Sequence, residues 1–125
     1  MASTFTVPRL YTDAQGDSRF GTYEVPLSLH DNAPPDAPFL LTETQSATTF
    51  AFFRIPPGWS GDRHVTPNNR LVICLKGALK FIGSAGDTLI LRPGERMMDM
   101  NTSGTGHATQ VVSDEPAEGI IIRLD

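Results

Sequence analysis

The chain has a single cysteine, Cys74, so no disulfide can form within it and a reducing compartment suits it. No apolar run approaches the ~20 residues that a membrane-crossing helix needs. The first residues, Met1-Ala-Ser-Thr-Phe-Thr6, hold neither a basic nor an apolar leader segment. A soluble, cytoplasmic chain with no membrane partner is expected. Basic residues are also scarce: 10 Lys and Arg against 14 Asp and Glu leave a formal charge of -4. No Lys/Arg cluster alternates with aromatics, so neither counterion release nor base stacking is on offer, and nucleic acid is not an expected partner. Sustained helical periodicity is missing as well, apart from residues 31–38, which have room for one helical turn.

What is present is punctuation. With 11 Gly and 10 Pro in 125 residues, turns recur at short intervals between apolar segments. Residues 48–55, Thr-Thr-Phe-Ala-Phe-Phe-Arg-Ile, are aromatic and β-branched and stop at Pro56-Pro57-Gly58, which predicts a strand. Six further segments, 70–76, 78–82, 87–91, 95–100, 107–112 and 119–124, have the same character, each bounded by Gly, Pro, Asn or Asp. Upstream, residues 5–11 contain Pro8 and residues 20–29 contain Pro26, so both read as edge strands, because proline cannot donate to a ladder. Many short strands at such spacing predict an all-β sandwich or barrel. One domain over 1–125 is expected, with edge strands and loops in 1–46 and the barrel core in 47–125.

The spacing of two histidines organises that core. Gly58, five residues, His64, one residue, Thr66, three residues, Arg70, six residues, Gly77 make one motif. Gly94, seven residues, Thr102-Ser-Gly104, two residues, His107 make another. These spacings resemble the two motifs of the cupin family, with Thr66 where a second His is usual, Arg70 where Glu is usual, Thr102 where Pro is usual, and two extra residues before the second turn. Asn101-Thr-Ser-Gly-Thr-Gly-His107, together with Pro8-Arg-Leu-Tyr-Thr-Asp13 and Ala33-Pro-Pro35, is similar to a subset of small cupins mostly without assigned activity. The resemblance implies a cupin-type jelly-roll β-barrel.

Applied to that barrel, a period of two places Val72 and Cys74 inside with His64, Thr66 and Arg70, and turns Leu71, Ile73 and Leu75 outward. Three outward aliphatics need a cover, either a second layer of the same chain or a twin, and a homodimer is expected.

In a metal-binding cupin the two motifs supply three imidazoles and a carboxylate. Here only His64 and His107 remain of that set, Thr66 is a weak neutral donor, and Arg70 brings a permanent positive charge. No metal is therefore expected; if a divalent transition metal does bind, His64 and His107 are its ligands, and parity offers only Cys74 as an inward addition, not Asp99 or His30. Two imidazoles beside a guanidinium suit acid/base chemistry on a small anionic or enolisable compound. His64 and His107 are the expected acid/base groups, and Arg70 the holder of an anion or developing enolate. Thr66, Cys74, Met98, Met100 and Trp59 are the expected pocket walls. The reaction type is then isomerisation, cyclisation, dehydration or decarboxylation. A metal-dependent oxygenase and a non-catalytic ligand-binding or sensing module are the alternatives.

Overall fold

The computed structural model describes residues 3–31 and 34–124. Ten strands follow in order: β1 (Thr4–Thr12), β2 (Ser18–His30), β3 (Phe39–Thr42), β4 (Ala47–Ile55), β5 (Arg70–Lys76), β6 (Leu79–Ile82), β7 (Thr88–Leu91), β8 (Arg96–Met100), β9 (Ala108–Val111) and β10 (Ala117–Leu124). Seven form one sheet in the order β3-β2-β1-β8-β5-β10-β4, and three form a second in the order β7-β6-β9. All neighbours are antiparallel except β1 and β8. The all-β barrel expected from the spacing of turns is therefore present, and no helix of the described residues is long and apolar enough to cross a membrane.

The two sheets close on one another through alternating side chains. Leu10, Val72, Cys74 and Met97 of the large sheet meet Leu79, Phe81, Leu91 and Val111 of the small one. Fully burying such a side chain stabilises the fold by about 1.5–3 kcal/mol; the layer fills the barrel up to Val72, Leu79 and Phe81, which border a pocket at its open end.

Both prolines expected at sheet edges lie on strands with a neighbour on each side. β1 sits between β2 and β8, yet its parallel ladder with β8 covers only Arg9 to Tyr11, so Pro8 lies just before it. β2 pairs with β1 up to Pro26 and with β3 from Leu27 onward, so Pro26 falls at the handover. Each proline is thus local edge backbone inside an interior strand. β3 is a strand that the sequence reading missed. Where a helical turn was allowed over 31–38 the chain makes a turn at 34–35 and a bend at 36, while Asn32 and Ala33 lie outside the described residues.

The large sheet has an unusual outward face. Leu71, Met98, Met100 and Ile122 point there and cluster with Val7 and Leu124. Large apolar side chains around this cluster are open to solvent, led by Phe52 at 73%, Leu29 at 68% and Phe50 at 66% exposure. The small sheet behaves in the ordinary way: its inward Leu79 and Phe81 alternate with Lys80 and Ile82, and Lys80 pairs with Gln110 on the outside.

Candidate functional site

Two loop segments cross the open end. After the turn at Pro56, the chain runs back along β9: Val111 N–H donates to Trp59 O, and Gly61 N–H donates to Thr109 O, both at 2.9 Å. The run ends where His64 and His107 exchange both backbone hydrogen bonds, N–H to O in each direction at 2.9 Å. The two motif histidines, 43 positions apart in sequence, thus form one locked antiparallel pair, with ring centroids 5.2 Å apart. Gly106 permits the approach: it has φ +88°, and a Cβ there would lie 2.6 Å from the His64 carbonyl. Gly104 likewise lies against the β1–β2 turn, where a Cβ would lie within 3 Å of Gly16 backbone atoms.

Behind this pair is a pocket of about 200 Å³. Its polar lining is His64, Thr66, Arg70, Asp99, His107 and Thr109, and its apolar wall includes Phe53, Trp59, Val72, Phe81 and Ile121. His64, His107, Arg70, Thr66 and Trp59, all singled out by sequence, meet here. Three expected wall residues do not. Cys74 does point inward, but it lies deeper in the core, where its thiol faces the backbone oxygens of Lys76 and Gly77. Met98 and Met100 belong to the outward face, because alternation along β8 gives the interior to Met97 and Asp99.

Asp99 is the residue that sequence reasoning turned away from the pocket. β8 pairs with β5 so that Asp99 stands opposite Arg70, and opposed residues share a face. These strands are far apart in sequence, so their register could not be read from spacing. The role of Asn101 was missed for the same reason.

Hydrogen bonds settle the tautomers. Asn101 Nδ2 donates to Thr12 Oγ1 (2.8 Å) and toward Ser103 O (3.4 Å), which leaves Asn101 Oδ1 to accept from His107 Nδ1–H at 2.9 Å. His107 Nε2 is therefore the bare nitrogen, 3.5 Å from Asp99 Oδ2. His64 Nδ1–H donates to the Asp62 carbonyl at 2.9 Å, so in the neutral ring Nε2 is the bare nitrogen. His107 and Asp99 are both buried, whereas His64 is exposed.

Burial drives the two buried groups toward their neutral forms. It raises the Asp99 carboxyl to about 6, against the opposing pull of the Asn101 backbone N–H and the charges of Arg70 and His64. It lowers the His107 imidazole to about 4, helped by the positive charges of His64 and Arg70. Arg70 has no carboxylate within ion-pair distance among the described residues, although Asp99 is its cross-strand neighbour.

No family model and no curated protein matches the sequence. Solved structures do share the fold. A Cupin 2 conserved barrel domain protein from Salinispora arenicola aligns with a TM-score of 0.53 at 15% identity, over 81% of this chain and 76% of that one. A sugar phosphate isomerase of the cupin superfamily from Silicibacter pomeroyi aligns at 0.52 and 22% identity, over 64% of this chain and 52% of that one. A predicted oxalate decarboxylase from Thermotoga maritima aligns at 0.50 and 20% identity, over 95% and 93%. The shared feature is the cupin jelly-roll fold, and at these identities it is the fold alone.

The donor set does not fit the metal that many cupins hold. Thr66 and Arg70 stand where two ligands would be, and the Arg70 guanidinium opposes a divalent cation in the same pocket. Among the described residues no three His, Cys, Asp or Glu side chains converge as a metal site.

The inverted pair makes a prediction about stability. In the unfolded chain the carboxyl (3.8) and imidazole (6.5) together hold one proton between those values, on the imidazole. Folded, they also hold one between about 4 and about 6, but on the carboxyl. The raised Asp99 contributes stability that is present below pH 3.8 and lost as pH rises through about 6. The lowered His107 contributes stability that is present above pH 6.5 and lost as pH falls through about 4. The two slopes cancel in the wild type. In urea unfolding, Asp99→Asn is expected to gain stability as pH rises across this window and His107→Gln to lose it, each by at most about 1.4 kcal/mol per pH unit. Slopes of the same sign in both variants would contradict the inversion.

Proposed function

We propose that this cupin-fold barrel binds a small anionic or enolisable molecule at its open end and moves a proton on it without a metal. The observation that carries this reading is Arg70: a guanidinium without a carboxylate partner among the described residues, lining an apolar-walled pocket with two imidazoles. Arg70 holds a carboxylate or a developing enolate oxygen. The bare Nε2 of His107 or His64 accepts the proton, and Asp99, 3.5 Å from His107 Nε2, receives it or hands it on. Burial places the Asp99 carboxyl at about 6 and the His107 imidazole at about 4, so a proton taken by His107 passes downhill to Asp99, the member of the pair that titrates nearer neutral pH. Thr66 and the aromatic wall position the ligand. This chemistry is that of an isomerase, cyclase, dehydratase or decarboxylase.

Pyruvate, which is small, anionic and enolisable, is a suitable probe. It is expected to raise the Tm of the wild type and to leave that of Arg70→Gln unchanged. Exchange of its methyl protons into heavy water, read by NMR, is expected to be faster with wild-type protein and to fall by about 10²-fold or more in His107→Gln and His64→Gln. Unchanged exchange in both variants, or stoichiometric transition metal that disappears from both His→Ala variants, would refute the reading.

The same barrel is proposed to work as a homodimer through the outward face of its large sheet. Phe5, Leu29, Leu40, Phe50, Phe52 and Leu75 are exposed there, whereas among the described residues no strand of the other sheet carries an exposed large apolar side chain. Five strands at ~4.8 Å spacing and about 25 Å of strand length give on the order of 600 Å² per copy, so a pair reaches the lower bound of stable interfaces, roughly 1,200 Å². Light scattering is expected to show twice the 13.6 kDa chain mass for the wild type. The Phe50→Lys/Phe52→Lys double variant, altered only at exposed positions, is expected to be monomeric with an unchanged circular dichroism spectrum. A monomeric wild type, or a double variant that remains dimeric, would refute this face.

A further inference from the structure

A second arginine stands directly beside Arg70. In the β5–β10 ladder Arg70 is opposite Arg123, and in the β5–β8 ladder it is opposite Asp99, so Asp99, Arg70 and Arg123 form one row across three strands on the inward face. Residues directly opposite are about 5 Å apart at Cβ, and like charges so placed repel. Among the described residues neither arginine has a carboxylate within ion-pair distance, although the chain has more acidic than basic residues. The row therefore lacks about one negative charge.

A hollow of about 400 Å³ lies at this place, lined by Arg70, Arg123, Asn68, Thr49 and Ile121 among others. Arg70 and Ile121 also line the pocket of the two imidazoles, so the two spaces adjoin at Arg70.

We infer that Arg123 is the second anion holder of an extended site and that the ligand is a small dicarboxylate. One acidic group lies on Arg70 beside His64 and His107, and the other reaches Arg123 in the outer hollow. A short carbon chain between two carboxylates suits two arginines that stand opposite one another on adjacent strands. This rests on the proposed role of Arg70 and extends it by naming the ligand class.

The test compares L-malate, succinate and L-lactate by calorimetric titration and thermal shift. Wild-type protein is expected to bind the two dicarboxylates about tenfold more tightly than lactate, as one further charge-assisted contact would give. Arg123→Gln is expected to lose that preference and bind malate as weakly as lactate. Arg70→Gln is expected to weaken all three. Retained preference for dicarboxylates in Arg123→Gln, with Arg70→Gln still weakened, would overturn the Arg123 subsite alone. Unaltered binding in Arg70→Gln, or no binding of any of the three by the wild type, would overturn both the subsite and the reading it rests on. Arg123 is exposed on its strand, so its replacement leaves the core intact.

Discussion

The reciprocal backbone pair between His64 and His107 is the constraint on which the site depends. Two N–H···O bonds fasten the first motif loop to the start of β9, and through it the mouth of the barrel is shaped. Once that pair is made, the ring of His107 has one place to go, beneath the mouth and against Asn101 and Asp99. The absence of a Cβ at Gly106 is what lets the two backbones meet. The local chemistry of the Asn101 to His107 turn and the long-range geometry of the pocket are thus one feature seen at two scales.

Burial beneath this pair sets the electrostatics of the site. Burial favours neutral forms, and the positive charge of Arg70 adds to the case against an imidazolium at His107. The same burial raises Asp99, which leaves a carboxyl and an imidazole exchanging the roles they have in water. Such pairs, with pKa values pushed past one another, are where proton transfer is easily arranged. On the proposed reading Arg70 supplies the fixed charge for a ligand, and Arg123, its cross-strand neighbour, continues that charge along the sheet.

Much of the fold was legible because its signals are local. Proline, glycine and β-branched runs marked nine of the ten strands, and the motif spacing placed His64, Thr66, Arg70 and His107 at one mouth. What was hidden depended on pairing between distant strands. Asp99 entered the pocket because β8 aligns it with Arg70, and Met98 and Met100 left it for the same reason. Pro8 and Pro26 misled because a strand can be an edge at one residue and interior at the next. β3 was missed because four residues in a Pro-rich region pair only with the far end of β2. Cys74 kept its predicted direction, but direction alone does not tell how deep in the barrel a residue lies.

The state of His107 is the centre of this account, and ¹⁵N NMR of the imidazoles across pH tests it most directly. The account predicts a neutral ring protonated at Nδ1 and bare at Nε2 throughout pH 5 to 8, with titration only near pH 4. A His107 ring that titrates near 6.5, or that carries its proton on Nε2, would contradict it.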